Sequence, residues 1–269
     1  MDDRPIGVFD SGLGGLTTVR ELCRLLPEED IVYFGDTGRV PYGSRSRETI
    51  VKYARQDVAF LRTFDLKTIV IACGTVSTTA LDVLAAENPI PVLGVVAPAA
   101  RAAAQATRSG SIGLIGTQAS IRSGAYERLI RAENPAARVL AQPCPLFVPL
   151  VENGRFRPGD VVIETVAAEY LAPLKAAGVD TLVLGCTHYP LLEEVIGAYM
   201  GPEVRLINSG AEGARAAADC LRERDALAGP GRGSCRCFVS DRQEDFSRLA
   251  STFLGWDVAQ AVEQVDISQ

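Results

Sequence analysis

Histidine, tryptophan and aromatic side chains in general are scarce in this 269-residue chain, which has one His, one Trp and 6% aromatic residues. A single histidine leaves few partners for a zinc site, so we expect no metal. With so few rings, the core must be mainly aliphatic and rich in alanine. Hydrophobic residues make up 47% of the chain, which is ordinary for a globular protein.

Positive charge is also in short supply, because the chain has 27 Lys and Arg residues against 33 Asp and Glu residues. The net charge of -6 and the lack of a basic run argue against a nucleic-acid partner. Arg39, Arg45 and Arg47 come closest to a basic cluster, and we interpret them as a solvated rim. The chain has neither an apolar run of membrane-spanning length nor an N-terminal signal pattern, so we expect a cytoplasmic protein without membrane contacts.

Seven cysteines are an odd number, and their spacing is not that of a disulfide framework. Two of them lie in near-copies of one segment: TIVIACGT covers residues 68–75, and TLVLGCTH covers residues 181–188. In each, an apolar run leads to a small residue and then to Cys73 or Cys186. We interpret the others as small apolar fillers: Cys23, Cys144, Cys220, Cys235 and Cys237.

A thiol repeated at the same place in two similar segments predicts a two-fold site, with one thiol on each side of a ligand. That arrangement can remove a proton from one face of a carbon and return one to the other. The run Ile6–Phe9 is echoed by Ile112–Ile115, at an offset close to that between the two cysteines. One internal duplication explains both similarities better than two coincidences.

Short apolar runs alternate with amphipathic stretches, which is typical of βα units with parallel strands covered by helices. Strands are predicted at Ile6–Phe9, Ile31–Phe34, Thr68–Ala72, Val92–Val96, Ile112–Ile115, Val139–Gln142, Leu182–Gly185, Val204–Ile207 and Cys237–Ser240. Helices are predicted at Leu16–Leu26, Glu48–Phe64, Val76–Ala86 and Asp160–Ala177. We therefore predict two similar α/β lobes related by a pseudo-two-fold axis, the first formed by residues 1–97 with 208–269 and the second by residues 98–207.

Polar residues follow several of these strands, where open α/β sheets bind their ligands. They are Asp10-Ser11, the Pro41-Tyr42-Gly43 turn, Cys73-Gly74-Thr75 and Cys186-Thr187-His188. Only a thiolate is a useful base, and a helix start after each cysteine is expected to lower the thiol pKa. Asp10, Glu152 and His188 are candidates to tune the thiols or relay protons.

Two other ligand-binding or catalytic motifs are incomplete in this chain. The run Gly12-Leu13-Gly14-Gly15 is followed by Thr17 at the position where a dinucleotide loop needs glycine. Ser11 does not lie in the G-x-S-x-G turn of a serine hydrolase.

Taken together, these segments resemble the glutamate racemase family of cofactor-independent amino-acid racemases. The matching pieces lie in the family's order: residues 7–16, 34–37, 41–43, both cysteine segments with the second extended to Leu192, and 149–152. The resemblance implies a cleft between two lobes and interconversion of L- and D-glutamate without pyridoxal phosphate. It also implies that the D-glutamate formed is used for peptidoglycan synthesis.

The resemblance also assigns roles to residues. Cys73 and Cys186 match the catalytic cysteines, and the auxiliary acid–base positions fall on Asp10, Glu152 and His188. The substrate-contacting set falls on Asp10, Ser11, Pro41, Tyr42, Gly43, Gly74, Thr75, Thr187 and His188. Gly74 departs from the family, which has asparagine there, and a lost hydrogen bond to a charged group costs about 1.5–3 kcal/mol.

Several alternatives stay open at this point. Gly74 alters the pocket, so a racemase for aspartate or a weakly active glutamate-binding relative is possible. A two-lobed binding protein without turnover would give no role to two matched thiols. A related decarboxylase is expected to lack the first cysteine, whereas Cys73 is present. A homodimer is a further possibility.

Overall fold

Two parallel sheets organise this chain, whose computed structural model describes residues 1–241, 243–256 and 262–267. The described residues form the strands β1 (Ile6–Asp10), β2 (Ile31–Gly35), β3 (Thr68–Ile71), β4 (Val92–Gly94), β5 (Ser111–Gly116), β6 (Arg138–Pro143), β7 (Thr181–Gly185), β8 (Arg205–Asn208), β9 (Cys235–Val239) and β10 (Val262–Gln264). Their α-helices are α1 (Leu16–Leu25), α2 (Arg47–Leu61), α3 (Gly74–Thr79), α4 (Leu81–Glu87), α5 (Val96–Ala106), α6 (Gln118–Arg122), α7 (Ala125–Glu133), α8 (Phe147–Glu152), α9 (Val161–Ala176), α10 (Glu193–Met200), α11 (Ser209–Glu223) and α12 (Gln243–Leu254). Tyr42–Ser44 and Tyr189–Leu192 form short 3₁₀ turns.

Within the described residues, one sheet has the strand order β10-β9-β2-β1-β3-β4 and the other the order β6-β5-β7-β8. Every pairing between these strands is parallel. Helices cover both faces, so β1, β2 and β7 are buried along their whole length and consist of nearly continuous apolar residues. The fold is the predicted two-lobed α/β fold.

The strand that carries each thiol lies next to the first strand of its sheet. In the six-stranded sheet, β3 pairs with β1, and in the four-stranded sheet β7 pairs with β5. Cys73 follows β3 and Cys186 follows β7, so the two thiols have equivalent places in the two sheets. The structure thus repeats the relationship seen between the two sequence segments.

Helix α11 joins the two parts of the molecule, because it begins directly after β8 and packs against α1 and α5. Close contact there depends on glycine: a Cβ atom on Gly213 would lie 2.5 Å from Val95 Cγ1. The chain then returns to the first sheet, where β9 pairs with β2. The lobe limits given above remain a prediction, and part of the final segment lies outside the described residues.

Some element bounds differ from the predictions for identifiable reasons. The helix predicted at Val76–Ala86 is two helices, α3 and α4, which meet at the non-helical Ala80. The strand predicted to reach Val96 ends at Gly94, because Val95 is the N-cap of α5, which begins at Val96. Strand β10 was not predicted, since its three residues carry a weak pattern. No helix within the described ranges is long and apolar enough to cross a membrane.

Candidate active site

A cavity of about 470 Å³ opens at the carboxyl ends of the strands of both sheets. It is lined by Asp10, Ser11, Gly12, Val40, Pro41, Tyr42, Gly43, Ser44, Cys73, Gly74, Thr75, Thr117, Gln118, Ser120, Cys144, Pro145, Val148, Pro149, Glu152, Gly185, Cys186, Thr187 and His188. This volume suits a small ligand enclosed by protein. Both thiols of the repeated segments face this one space, although each is more than nine-tenths buried.

On the first side of the cavity, Cys73 lies between Ser11 and Asp10. Its thiol donates a hydrogen bond to Ser11 Oγ at a distance of 3.4 Å. Burial and the nearby Asp10 carboxylate raise the pKa of Cys73 to about 12. The sulfur is therefore a protonated thiol at neutral pH. The expectation that a helix start would lower this pKa is wrong, because burial outweighs the short helix α3.

Asp10, at the end of β1, is 2% exposed, and its Oδ1 atom has no hydrogen-bond partner among the described residues. Burial raises the pKa of Asp10, while the cation at His188 and backbone N–H groups of Gly15 and Gly12 oppose that rise. A buried carboxyl oxygen without a partner is available to a ligand in the cavity.

On the opposite side, Cys186, His188 and Glu152 form a line of polar groups. Cys186 Sγ lies 4.0 Å from His188 Nδ1, and His188 Nε2 lies 2.9 Å from Glu152 Oε1. Burial lowers the pKa of His188, but its contacts with Cys186 and Glu152 more than offset this and raise the pKa to about 10. The imidazole is therefore a cation at neutral pH, and this positive group faces the Cys186 sulfur.

The helix arrangement after Cys186 differs from the expected one. A 3₁₀ turn at Tyr189–Leu192 comes first, and α10 begins only at Glu193. His188, rather than a helix start, is the positive group closest to this sulfur along the chain. The ring of Phe253 packs edge-on against the imidazole, with ring centroids 5.4 Å apart.

The start of α1 and the turn before it contact the second thiol segment. Thr17 Oγ1 donates a hydrogen bond of 2.9 Å to the carbonyl oxygen of Thr187. A Cβ atom on Gly14 would collide with Thr187 Oγ1 and with the His188 ring. The glycine run that imitates a nucleotide loop therefore allows the backbone to approach the Cys186 side of the cavity closely.

Tyr42 is held in the cavity wall by a buried charge network. Its hydroxyl contacts carboxylate oxygens of Asp36 and Asp57, and Arg39 donates to both of these carboxylates. Burial and the neighbouring Asp36 raise the pKa of Asp57 well above its ordinary value. Arg39 is thus half-buried and held by two buried carboxylates, so its interpretation as part of a solvated rim is wrong. The network fixes the turn from Tyr42 to Gly43 against the cavity.

The two lobes meet at Gly74 and Thr75. Thr75 Oγ1 lies 3.3 Å from Thr117 Oγ1, across the cleft. A Cβ atom on Gly74 would lie 2.9 Å from the carbonyl oxygen of Gly185, the residue before Cys186. At this position glycine lets the two thiol segments approach more closely than any side chain would.

The structure brings every candidate residue from the sequence to one cavity, as the lining given above shows. Sequence reasoning missed Thr117, Gln118 and Ser120, which follow β5. The internal repeat contained a signal for one of them, because aligning Ile6 with Ile112 places Ser11 opposite Thr117. Cys144, interpreted as a filler, is fully buried and also forms part of the cavity wall.

Among the cavity-lining residues that the structure describes, His188 is the one basic side chain. Other potential donors are hydroxyls, thiols, one amide and backbone N–H groups. Within residues 1–241, 243–256 and 262–267, no three His, Cys, Asp or Glu side chains group as metal ligands do. Two thiols that line one small cavity from equivalent places in the two sheets are the arrangement expected of a site for proton exchange at carbon.

The comparisons with known proteins agree with this class of site. The Asp/Glu/hydantoin racemase family model matches residues 9–217, which include both thiol segments. The chain therefore belongs to the Asp/Glu/hydantoin racemase family.

Within that family, the glutamate racemase of Geobacter metallireducens is 49% identical over 256 residues, covering 95% of this chain and 94% of its own. The glutamate racemase isoform RacE1 of Bacillus anthracis superposes with a TM-score of 0.93 at 38% identity, covering 99% of this chain and 98% of its own. A glutamate racemase from Francisella tularensis, solved in complex with D-glutamate, has a TM-score of 0.91 at 38% identity and covers 100% and 99% of the two chains.

Proposed function

We propose that this protein interconverts L- and D-glutamate by transferring protons between Cα and two cysteine side chains. The observation that carries the proposal is that Cys73 and Cys186 line one cavity from equivalent positions in the two sheets. The glutamate racemases of Geobacter, Bacillus and Francisella support glutamate as the substrate.

In the L-to-D direction, Cys186 acts as the base and Cys73 as the acid. The Cys186 thiolate takes the proton from Cα, and the electron pair of that bond moves into the α-carboxylate. The Cys73 thiol then gives its proton to the opposite face of Cα, which leaves a thiolate on Cys73 and a thiol on Cys186. The reverse reaction exchanges the two roles.

The surroundings of each sulfur suit these starting states. Cys73, with a pKa of about 12, holds its proton at neutral pH. The His188 cation stabilises the negative charge that Cys186 needs as a base. Asp10, whose Oδ1 atom has no partner among the described residues, is placed to hold the substrate ammonium group or to assist Cys73.

The developing negative charge falls on the substrate α-carboxylate, which needs hydrogen-bond donors fixed in place. Thr75, Thr187 and Ser11, which carry hydroxyls, line the cavity together with Gly43 and Gly74, whose donors are backbone N–H groups. We propose that these groups hold the two carboxylates of glutamate. Enclosure between the lobes strengthens such contacts because it excludes water.

The test is racemisation in D₂O, followed by circular dichroism and by mass spectrometry of both enantiomers. We expect the product to carry deuterium at Cα from the earliest times while the remaining substrate keeps protium, with no need for added pyridoxal phosphate. Cys73→Ser and Cys186→Ser should each abolish most racemisation. Cys144→Ser is the matched control, because Cys144 also lines the cavity but has no proposed role.

Protium retained in the product would exclude the two-thiol route, as would full turnover by either serine variant. Faster turnover of aspartate than of glutamate would reassign the substrate while leaving the two thiols in place. We further propose that the D-glutamate formed serves peptidoglycan synthesis. The cytoplasmic location and the homodimer stay predictions.

A further inference from the structure

A second cavity, of about 360 Å³, lies beside the first and contains none of the proposed catalytic groups. It is lined by Arg45, Arg47, Ile50, Thr78, Thr79, Ala119, Arg122 and Ser123. Three of these eight side chains are arginines and three carry hydroxyls. None of the eight is acidic, although the protein as a whole has a net charge of -6.

The three arginines have few partners of their own. Arg47 Nε donates to the carbonyl oxygen of Thr79 at 3.3 Å, which turns it toward the cavity. Within the described part of the chain, no carboxylate lies within 4.0 Å of Arg45, Arg47 or Arg122. Glu48 follows Arg47 in the chain, and the Arg47 charge contributes to the lowered pKa of this carboxyl. It does not line the cavity.

The cavity lies on the line where the two lobes meet. Arg45 and Arg47 stand at the start of α2, and Thr78 and Thr79 at the end of α3, on the side of the six-stranded sheet. Arg122 ends α6, which follows β5 of the four-stranded sheet. A ligand that contacts Arg45 and Arg122 together would therefore link the two lobes.

The walls of the second cavity continue those of the first. Helix α3 presents Thr75 to the first cavity and, one turn later, Thr78 to the second. Helix α6 similarly presents Ser120 to the first, and Ser123, directly after α6, lines the second. Thr75 and Thr117, which are in contact, line the first cavity.

We infer that this arginine-lined cavity is a binding site for a phosphate-bearing anion. Guanidinium groups match phosphate oxygens with paired hydrogen bonds, and hydroxyls complete such a site. Three positive charges without facing carboxylates favour an anion with at least two negative charges over a single carboxylate. A volume of about 360 Å³ leaves room for more than one phosphate group. This inference goes beyond the proposed function, because binding here requires no turnover.

The test is calorimetric titration of the protein with inorganic pyrophosphate, at an ionic strength held constant with sodium chloride. We expect saturable binding of one pyrophosphate per chain. Arg122→Gln and Arg45→Gln should each weaken it about tenfold or more, since each removes a charged hydrogen-bond donor. The matched control is Arg131→Gln, because Arg131 lies on neighbouring α7, is exposed and pairs with Glu127. It should bind as the unaltered protein does.

Three further measurements make the result decisive. Arg45 and Arg122 are both exposed, and circular dichroism confirms that each variant is folded. The double variant C73S/C186S should bind pyrophosphate unchanged, so the test stands even if the proposed racemisation fails. Titration with inorganic phosphate separates a single phosphate group from a diphosphate as the preferred ligand. Absence of saturable binding, or equal affinity in Arg122→Gln, Arg45→Gln and the unaltered protein, would overturn the inference.

Discussion

Glu152 Oε1 lies 2.9 Å from His188 Nε2, and the other nitrogen of the same imidazole faces the Cys186 sulfur at 4.0 Å. The imidazole therefore bridges an acid at the cavity edge and a thiol in its wall. The Glu152 side chain is 39% exposed, whereas that of His188 is 8% exposed. Glu152 can exchange protons with water while His188 stays enclosed.

The raised pKa of His188 predicts a specific dependence of stability on pH. Its pKa is about 10 in the folded protein against an ordinary value of 6.5. Between pH 6.5 and 10 the folded state therefore holds a proton that the unfolded state has lost. The resulting stabilisation is fully present below pH 6.5 and is lost as the pH rises through 10. Between pH 7 and 9 the free energy of unfolding should fall by up to about 1.4 kcal/mol per pH unit.

Urea unfolding at several pH values in this range measures the effect. His188→Asn should remove the slope, and Glu152→Gln should shift it to lower pH because the imidazolium loses its charged partner. Arg222 pairs with Asp219 on the surface, so Asp219→Asn is a control that should keep the slope. Parallel curves for His188→Asn and the unaltered protein would contradict the prediction.

Asp10 beside Cys73 leads to a kinetic prediction. Replacing Asp10 by asparagine keeps its shape but removes the acid–base group, so turnover should fall about 100-fold, within the usual range for such groups. L- and D-glutamate have equal free energies, so kcat/KM must fall by the same factor in both directions. In the D-to-L direction, in which Cys73 is the base, kcat and KM should each change by a different factor than in the L-to-D direction.

Steady-state kinetics from each enantiomer, measured by circular dichroism, gives all four constants. Asp219→Asn again serves as the control for a surface carboxylate. Turnover within about twofold of the unaltered protein in Asp10→Asn would exclude a role for Asp10 at the reacting carbon.

The order of elements and many of the cavity-lining residues follow from the sequence because both depend on short-range patterns. Continuous apolar strands such as Ile31–Gly35 can be recognised in the sequence, and polar residues just after them must meet at one edge of a parallel sheet. Contacts between distant segments carry no such pattern. Nothing in the sequence pairs Arg39 with Asp57, or Thr17 with Thr187, because these contacts depend on how helices and loops pack.

Electrostatic environments were the least predictable feature of the site. A helix start after a cysteine suggests a low thiol pKa, but Cys73 is buried beside Asp10, and these influences raise its pKa instead. The pKa of His188 rises because of Cys186 and also because of Glu152, which lies 36 residues away in the chain. Burial and long-range pairing decide such values, and both require the folded structure.

Gly74, where the family has asparagine, leads to a prediction about closure of the lobes. A Cβ atom here would lie 2.9 Å from the Gly185 carbonyl oxygen, and real Cβ atoms do not approach backbone oxygen so closely. Gly74→Ala should therefore displace the segment that carries Cys186 and lower kcat/KM about 10- to 100-fold. Gly74→Asn begins with the same Cβ atom and should not raise kcat/KM.

Kinetics of both variants, together with thermal unfolding, checks this expectation. Gly197→Ala is the matched control, since Gly197 lies inside α10 and the nearest atom to an added Cβ would be 3.8 Å away. That variant should keep its activity and gain stability, because alanine favours a helix more than glycine does. Higher kcat/KM in Gly74→Asn than in the unaltered protein would show that the lobes separate enough to accept a side chain.

The buried network around Tyr42 predicts that two neighbouring charges differ in importance. Burial and Asp36 raise the pKa of Asp57 well above its ordinary value, which disfavours its charged form, so Asp57→Asn should cost less stability at pH 7 than the loss of Arg39. Arg39 donates to both carboxylates, and its side chain is 21% exposed. Arg39→Gln removes the guanidinium partner from two buried carboxyl groups, and breaking a buried ion pair typically costs about 3–5 kcal/mol.

Urea unfolding at pH 7 compares the two variants directly, and titration with glutamate reports on the turn that Tyr42 begins. Arg39→Gln should lose affinity as well as stability, because the hydroxyl of Tyr42 shares the same two carboxylates and holds Gly43 against the cavity. Arg55 has an exposed partner in Glu87, so Arg55→Gln is the control and should change either quantity little. Equal losses of stability in Asp57→Asn and Arg39→Gln would contradict this prediction, because they would mean that Asp57 is ionised in the folded protein.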